Sequence, residues 1–438
     1  MKSLILTCFL ALGISNLLYA TVYDYTNNNS ISLLKDAKES SELKLSMIRN
    51  AKHHIHIMTY FLDNSSFPTE VFNELLKANE RGVEVRILST FVPTFAKDLK
   101  MKTKKKLKGS NPNATFLYLL LGTKGNVTLL NNLHEKIFLV DGESAIIGGR
   151  NLSDSSFRAK DLEVLLKGSV VDQIQMHFQK ILDVLLQREI DKKCERYLAI
   201  DLECRTQLLN GRFELSDQNY FHGSEYRGKI KARLLSHNAV LNQISHRMTR
   251  KERMHMQDDI VDAVISNKFK SMRAYNYYVL PTDKYRNFLI ENVKNGNDVK
   301  IITNSLKTSA IVSNKGYLYS LPIIHDLVDF GVNIYQWQGP TNYEYLHEKV
   351  IIFDEEKVFI GSHNFGTGST SMSNEIAIEF EDKDIAIDLI NTFDEEISNS
   401  SKTKAATNKS IASEIAENIK MVRFLQKSVL GEILEESY

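Results

Sequence analysis

The chain has 438 residues, enough for two or three average domains or for one fold built from two similar halves. Its 55 Lys and Arg residues balance 54 Asp and Glu residues, and the net charge of +1 argues against nucleic-acid binding through bulk charge. With 43% hydrophobic residues, 6 Pro and 3 Cys, the composition is globular and excludes collagen-like chains and disulfide-dense miniproteins.

The first 20 residues are predicted to form a secretory signal peptide. A single Lys precedes an apolar stretch from Leu4 to Ile14, and Ala20 is a small residue suited to cleavage. This stretch is shorter than the ~20 residues that a membrane-spanning helix needs. An uncleaved anchor and a buried N-terminal helix are the alternatives. We therefore expect an exported protein that is periplasmic or secreted.

The first half contains a strand–helix–strand pattern. The alternating segment His54–Met58 predicts a strand, a helix pattern from about Val71 stops at Gly82, and Val83–Leu88 predicts a second strand. Glycine at the stop suits the left-handed conformation that ends many helices.

A motif of polar residues follows this pattern. It runs from His134 through Lys136 and Asp141 to Asn151, with a hydrophobic segment between Lys136 and Asp141. Two-residue spacing puts His134 and Lys136 on one face of a strand, and the hydrophobic segment suits a strand buried on both faces. An imidazole, an ammonium group and a carboxamide are thus expected near one point.

The cysteines and the first histidines do not predict a metal site. Cys8 belongs to the predicted signal peptide, and Cys194 and Cys204 form an even pair that predicts a disulfide in an oxidising compartment. Two Cys lack the ligand count of a structural zinc site. His54 and His56 lack evident acidic or Cys partners and are interpreted as strand residues. We expect neither a metal nor another cofactor.

The second half repeats the order of elements. The apolar segment Tyr277–Leu280 is taken as a strand, a helix pattern then ends near Gly296, and Val299–Ile302 predicts the next strand. Alternating helix and strand patterns along the chain indicate an α/β fold. The repeat indicates a duplicated unit of roughly 200 residues.

The second motif matches the first in residue type and spacing. It runs from His347 through Lys349 and Asp354 to Asn364, and in both motifs the Asn follows the His by 17 residues. About 0.19 such basic and acidic triplets are expected by chance at this composition, so two occurrences indicate a real repeat. Two facing sets of these side chains would form a phosphodiester site with a nucleophile, an acid and further donors.

An acidic residue follows each motif at nearly the same distance. Asp161 lies 27 residues after the first motif histidine, and Glu375 lies 28 residues after the second. A carboxylate bound to one ring nitrogen fixes the tautomer and leaves the other nitrogen to react, and we assign these two residues to that role. Asp141 and Asp354 belong to the predicted catalytic set as the alternatives. They are otherwise expected to stabilise the loop and Lys of their own motif.

From residue 43 to residue 382 the sequence resembles the phospholipase D superfamily, whose signature is this duplicated motif. Segments such as Gly148–Asp154 and Gly331–Tyr335 are similar to its bacterial cardiolipin-synthase-like branch, although Gly149 stands where many members carry Ser. The resemblance implies two similar α-β-α lobes in a pseudo-twofold arrangement with one active site at their interface. We divide the chain into a signal peptide (1–20), a first lobe (21–225), a second lobe (226–405) and a C-terminal helix (406–438).

The resemblance also implies a metal-independent, two-step reaction through a phosphohistidine. One histidine attacks phosphorus, the other protonates the leaving alcohol, and water or a second alcohol then completes the reaction. Family precedent favours His134 as the nucleophile and His347 as the acid and base, while the sequence leaves the two roles open. The residues that the resemblance assigns to the non-bridging phosphate oxygens are Lys136, Lys349, Asn151 and Asn364.

The expected function is an exported phosphatidyltransferase that acts on phospholipid headgroups, similar to cardiolipin synthase, with phosphatidylglycerol and also phosphatidylethanolamine as substrates. Hydrolysis to phosphatidic acid, a secreted nuclease and a non-catalytic lipid-binding module are the alternatives. Seven lysines between Lys97 and Lys108 suit anionic lipid headgroups at a membrane surface, nucleic-acid phosphates or a solvated loop. Nucleic acid is the less expected partner, since the net charge is small.

Overall fold

The computed structural model describes residues 21–60, 65–90, 127–130, 133–195, 228–238, 257–309, 314–339 and 343–427. The predicted signal peptide, the lysine run at 97–108 and Cys204 lie outside the described residues, as does the side chain of Cys194. The signal peptide, the lipid contact of the lysine run and the disulfide therefore stay predictions.

The first lobe contains nine strands and three α-helices among the described residues. The strands are β1 (Thr21–Val22), β2 (Thr26–Leu34), β3 (His54–Thr59), β4 (Glu84–Thr90), β5 (Val127–Leu130), β6 (Ile137–Val140), β7 (Ser144–Gly148), β8 (Ala159–Lys160) and β9 (Glu163–Lys167). The helices are α1 (Ala37–Asn50), α2 (Ser66–Glu80) and α3 (Ser169–Glu195), with a 3₁₀ helix at Asp154–Arg158.

The described part of the second half contains nine further strands and eight further helices. The strands are β10 (Ile230–Asn238), β11 (Ser271–Tyr275), β12 (Asp298–Asn304), β13 (Asn333–Trp337), β14 (Tyr345–Leu346), β15 (Val350–Phe353), β16 (Lys357–Gly361), β17 (Asn374–Glu381) and β18 (Thr403–Ala405). The helices are α4 (Asp259–Ile265), α5 (Asp283–Lys294), α6 (Leu306–Ser309), α7 (Asn314–Asp329), α8 (Thr367–Met372), α9 (Lys383–Ser398), α10 (Asn408–Glu417) and α11 (Ile419–Lys427).

One sheet runs through both lobes. Its order is β18-β13-β12-β11-β15-β16-β17-β10-β2-β9-β7-β6-β3-β4-β5, with β1 beside β10. In each lobe the first strand of the repeat pairs parallel with the next (β3 with β4, β11 with β12) and antiparallel with the motif strand (β6 or β15). The antiparallel pair β10 and β2 joins the two halves. The sheet confirms the predicted α/β class with two similar lobes.

A shared hydrophobic core holds the two lobes together. One cluster of buried side chains combines Ile147 and Leu166 of the first lobe with Ile352 and Ile378 of the second. Burial of apolar surface is the main favourable contribution to such packing. The relative position of the two motif strands therefore depends on a well-packed interior.

Most of the predicted elements are found, and one strand is displaced. The predicted strand at His54–Met58 is β3, and Gly82 ends α2 with φ +91°. The prediction of a strand at Tyr277–Leu280 was wrong, because the strand is Ser271–Tyr275. The Tyr277 carbonyl accepts a hydrogen bond from the Asn304 side chain at 3.0 Å and not from the backbone of a neighbouring strand. All four residues of Tyr277–Leu280 are buried in the core, which accounts for the apolar pattern of this segment.

The described part of 406–438 forms two helices, where we predicted one. Helices α10 and α11 meet at Asn418, which ends α10. Ile411 is fully buried, and the Tyr317 hydroxyl on α7 donates to Glu414 at 2.6 Å, so α10 packs on the second lobe. Among the described residues, no helix combines the length and the apolar character that a membrane span requires.

Candidate active site

The two motifs place their histidines and lysines at the starts of strands β6 and β15. Both strands are buried along their whole length. The side chains of His134 and His347 are 14% and 17% exposed, and Lys136 and Lys349 are buried. Each lysine donates to the carbonyl oxygen of its own motif histidine. The histidine side chains are thus partly accessible to solvent, while the lysine side chains are covered.

Each histidine contacts a carboxylate that comes from the opposite lobe. His134 Nδ1 lies 3.0 Å from the Glu375 carboxylate, and His347 Nδ1 lies 2.7 Å from Asp161 Oδ2. The backbone adds to this crossing, because His134 N donates to the Asn374 carbonyl at 3.0 Å. A carboxylate on Nδ1 leaves Nε2 as the reactive nitrogen of each imidazole. Neither lobe alone contains a complete histidine–carboxylate pair.

Two tyrosines that the sequence analysis did not assign to the site flank the histidines. The Tyr60 ring stands edge-on to His134 with centroids 4.9 Å apart, and Tyr277 stands edge-on to His347 at 5.0 Å. The ammonium groups of the two lysines lie 5.4 and 5.3 Å from these rings. The available signal was positional, since each tyrosine follows the first strand of its repeat.

Burial sets the protonation of the four basic groups. It lowers the pKa of His134 and of His347 to about 4, against the opposing effect of the facing carboxylates. Burial also lowers the pKa of Lys136 to about 7 and that of Lys349 to about 8, and the lysines repel each other. Both imidazoles are therefore neutral near pH 7, as a nucleophile requires.

The two asparagines of the motifs differ in their hydrogen bonds. Asn151 Oδ1 accepts from the Tyr60 amide at 3.2 Å. Asn364 Oδ1 is buried and has no hydrogen-bond partner among the described residues. The backbone N–H of Asn364 donates to Ser369 Oγ at 3.2 Å. Both asparagines are partly exposed. The Asn364 side-chain oxygen therefore has no partner in the described part of the chain, and the nitrogen of the same carboxamide can donate to a phosphate oxygen.

The residue before each asparagine anchors its loop. The Arg150 guanidinium donates to the carbonyls of Leu34 and Asp161. His363 Nε2 lies 2.8 Å from Asp258. Both side chains are almost fully buried, so the two loops are attached to the interior by different chemistry.

The two carboxylates also have different surroundings. Glu375 accepts hydrogen bonds from the hydroxyls of Ser362 and Ser369 in addition to His134. The residue that corresponds to Ser362 in the first lobe is Gly149, where a Cβ atom would lie 2.3 Å from Asp161 Oδ1. Asp161 therefore has no room for a hydroxyl donor at this position.

Asp141 and Asp354 lie at the opposite ends of the motif strands from the histidines. Asp141 accepts from the backbone amides of Lys52, His53 and His54 at 2.8 to 2.9 Å. Asp354 likewise accepts from the two amides that precede and begin β11. Both residues have positive φ, 56° and 51°. They hold the turn after each motif strand and have no hydrogen bond to either motif lysine, so the geometry does not support the catalytic role predicted for them.

Other polar groups singled out in the sequence have structural partners. His54 Nε2 lies 3.0 Å from Gln175 Oε1, and Gln175 Nε2 lies 3.2 Å from His56 Nδ1. Within the described ranges, no group of three or more His, Cys, Asp and Glu side chains has a geometry that could hold a metal ion.

Comparison with known proteins agrees with this geometry. A family model described as the PLD-like domain of cardiolipin synthase matches residues 45–182 and 261–397, once in each lobe. Cardiolipin synthase 2 of Staphylococcus epidermidis is 22% identical over 86% of this chain and 70% of its own length, and a cardiolipin synthase of Staphylococcus aureus is 23% identical over 90% and 72%.

A solved structure shares the whole fold. Phosphatidylserine synthase of Haemophilus influenzae Rd KW20 matches with a TM-score of 0.59 and 14% sequence identity, covering 96% of this chain and 97% of that one. The two family matches contain both motifs and both crossing carboxylates. The chain thus belongs to the phospholipase D superfamily, in its cardiolipin-synthase-like branch, and is an enzyme of the phospholipase D type.

Proposed function

We propose that this enzyme transfers a phosphatidyl group from one phosphatidylglycerol molecule to a hydroxyl of a second, which forms cardiolipin and releases glycerol. The observation that carries the proposal is the meeting of two histidine–lysine pairs, each histidine bound to a carboxylate of the opposite lobe. This arrangement supplies a nucleophile, an acid and two cations to a single phosphodiester. The relatives named cardiolipin synthase support the choice of substrate.

The unequal carboxylates support His134 as the nucleophile and His347 as the acid and base. Glu375 spreads its charge over two serine hydroxyls and so stabilises a His134 imidazolium less. The Asp161 carboxylate accepts from His347 at 2.7 Å and from the Leu162 amide at 2.9 Å. His347 is neutral in the free enzyme. The more concentrated charge of Asp161 and the incoming phosphodiester anion both favour uptake of a proton at Nε2, so His347 acts as the acid in the substrate complex.

The reaction then proceeds in two balanced steps. His134 Nε2 attacks phosphorus, the phosphorus–oxygen bond to the leaving glycerol breaks, and His347 donates its Nε2 proton to that oxygen. In the second step His347 removes the proton of the acceptor hydroxyl, whose oxygen attacks phosphorus and displaces His134. Lys136, Lys349 and Asn364 bind the non-bridging oxygens, where charge develops.

We also propose that the protein is exported through residues 1–20 and works at a membrane surface. A short apolar core after one Lys supports export. The lysines between Lys97 and Lys108 support contact with anionic headgroups, at roughly 1 kcal/mol for each charge near the surface.

The test is incubation of the purified protein with vesicles that contain labelled phosphatidylglycerol, with and without phosphatidylethanolamine. Cardiolipin as the product supports transfer to a lipid alcohol. Phosphatidic acid as the sole product would replace the transferase by a hydrolase, and no product together with nucleic-acid cleavage would replace the substrate class.

Two variants test the roles of the histidines. His134→Ala is expected to abolish turnover and covalent labelling by the phosphatidyl group. His347→Ala is expected to slow turnover by at least 10²-fold. His325→Ala changes a partly exposed histidine on α7 and is the matched control, with turnover unchanged. Full turnover by His134→Ala would contradict the mechanism.

A further inference from the structure

A lysine of the first lobe inserts its side chain into the second lobe directly beside the His347 pair. Lys160 Nζ lies 2.6 Å from Glu348 and 3.4 Å from Glu396, and all three side chains are at most 10% exposed. The same ammonium group stands 4.1 Å from the centroid of the Tyr275 ring and 5.7 Å from that of Trp337. Both carboxylates and both rings belong to the second lobe.

The positions of Lys160 and Glu348 in the chain connect this ion pair to the His347–Asp161 pair. Lys160 immediately precedes Asp161, and Glu348 immediately follows His347. The two short strands β8 and β14 run parallel with Lys160 beside Leu346, and His347 N donates to the Lys160 carbonyl at 2.7 Å. Two neighbouring residues of one lobe thus bind two neighbouring residues of the other, Lys160 to Glu348 and Asp161 to His347.

Among the described residues, the His134 half has no ion pair at the corresponding place. There Asn374, an uncharged residue, precedes the carboxylate residue Glu375. Glu135, which corresponds to Glu348, is bound within its own lobe by His177 at 3.0 Å. Hydroxyl groups of Ser362 and Ser369 surround Glu375 instead. The inter-lobe ion pair is therefore specific to the half that contains His347.

We propose that Lys160 and Glu348 are positioning residues, which hold Asp161 at hydrogen-bond distance from His347 across the lobe interface. The inference rests on the proposed two-histidine mechanism. Although burial opposes its charge, Glu348 and Glu396 raise the pKa of Lys160, so Lys160 is charged at neutral pH. Neutralising Lys160 removes the attraction that holds β8 against β14 beside His347, and it leaves two buried carboxylates without a cation.

The test compares kcat and KM of Lys160→Met with the unmodified enzyme, using hydrolysis of bis(p-nitrophenyl) phosphate so that lipid selectivity plays no part. We expect kcat to fall on the order of 10²-fold, as displacements of about 1 Å can cause, with KM within twofold. Lys160→Arg keeps the charge and is expected to recover most of kcat. Wild-type kcat in a folded Lys160→Met protein would overturn the proposal.

A neighbouring ion pair between the same two segments provides a matched control. Arg158 and Glu344 precede β8 and β14 and form an ion pair of 2.7 Å between the lobes, but both side chains are about half exposed. Arg158→Met removes this inter-lobe pair without moving the His347 contact, and kcat is expected to stay within twofold. An equal loss in Arg158→Met would mean that any inter-lobe pair has the same effect, and the proposal would fail.

A second variant keeps the test decisive if Lys160→Met does not fold. Lys160→Met combined with Glu348→Gln removes both charges of the buried pair and leaves Glu396 as the one buried carboxylate there, with its hydrogen bond from the Tyr275 hydroxyl. The proposal predicts that kcat stays low in this folded double variant, and a return to wild-type kcat would assign the pair to folding alone. His347→Ala in the same assay separates the two hypotheses, because unchanged hydrolysis there refutes the proposed mechanism itself.

Discussion

At the scale of single residues, the two buried lysines determine the pH range of phosphate binding. Burial lowers the pKa of Lys136 to about 7 and that of Lys349 to about 8, so both lose their charge as pH rises through this interval. We expect kcat/KM, which reports the free enzyme, to fall over the same interval. In Lys136→Arg the charge persists at alkaline pH. The pH at which kcat/KM falls should then move from about 7 towards the pKa of Lys349, about 8. A fall that stays at the same pH would contradict this assignment.

A methyl group added at Gly149 is expected to lower the rate of the reaction. A Cβ there would lie 2.3 Å from Asp161 Oδ1, so the Asp161 carboxylate has to turn away from His347. We expect Gly149→Ala to lower kcat on the order of 10²-fold. Ser362→Ala is the comparison in the other lobe, because it removes one of two hydroxyl donors to Glu375 without adding bulk, and its kcat should fall less than tenfold. Equal losses in steady-state assays would refute the steric explanation.

Much of the site at this scale could be predicted from the sequence. The duplicated spacing marks His134, Lys136, His347 and Lys349, and the similar distances to Asp161 and Glu375 mark the acids. Ser369 could not be identified in this way, and Tyr60 and Tyr277 are marked only by their place after the first strand of each repeat, since their distances to the motif histidines differ. Their contacts arise where separate segments meet in the folded chain.

At the scale of secondary-structure elements, Asp141 stabilises the turn between β6 and β7. Its carboxylate accepts from three consecutive amides and keeps its own residue at φ 56°. We expect Asp141→Ala to lower the free energy of unfolding by about 1–3 kcal/mol, because the buried His54 amide and the partly buried amides of Lys52 and His53 lose their partner. The kcat of the folded fraction should stay within threefold. Chemical denaturation and activity measured on the same sample check both, and a 10²-fold loss of kcat at full stability would restore a catalytic role.

The displaced strand shows what local sequence patterns can predict about elements. The residues of β3, β4 and β12 alternate or run apolar in strands that pair with neighbours, and these strands were predicted correctly. Tyr277–Leu280 has the same apolar character but is buried outside the sheet. Hydrophobicity reports burial, whereas a strand also requires a partner for its backbone, and the partner comes from distant sequence.

At the scale of the whole molecule, buried neutral histidines make stability depend on pH. Burial lowers the pKa of His54, His134 and His347 to about 4, from an ordinary value of 6.5. Between these values the unfolded chain binds more protons, so the free energy of unfolding falls as pH decreases from about 6.5 to 4. The loss between pH 7 and 5 is on the order of 2 kcal/mol for each histidine.

Urea denaturation at pH 5, 6 and 7 measures this dependence. His54 lies outside the active site, unlike the other two histidines. His54→Gln should reduce the slope by up to about a third, since burial also lowers the pKa of the neighbouring His56. A stability that does not change over this range would contradict the neutral state of these histidines.

The crossing of the carboxylates could not be predicted at any smaller scale. The spacing gave Asp161 and Glu375 a similar place in each repeat, which fits a partner in the same lobe as well as one in the opposite lobe. The choice depends on how β2 and β10 join the lobes and on the core that both lobes share.

The exchange of carboxylates between lobes has a consequence for the history of this fold. A protein with a single lobe could complete neither histidine pair, and two copies related by a twofold axis would be needed to build the site. In such a dimer both histidines would be identical and every substitution would appear twice. Joining the copies in one chain removes that restriction, and Gly149 opposite Ser362, and Lys160 opposite Asn374, record separate changes in the two halves. The duplicated gene could thus give each histidine its own task.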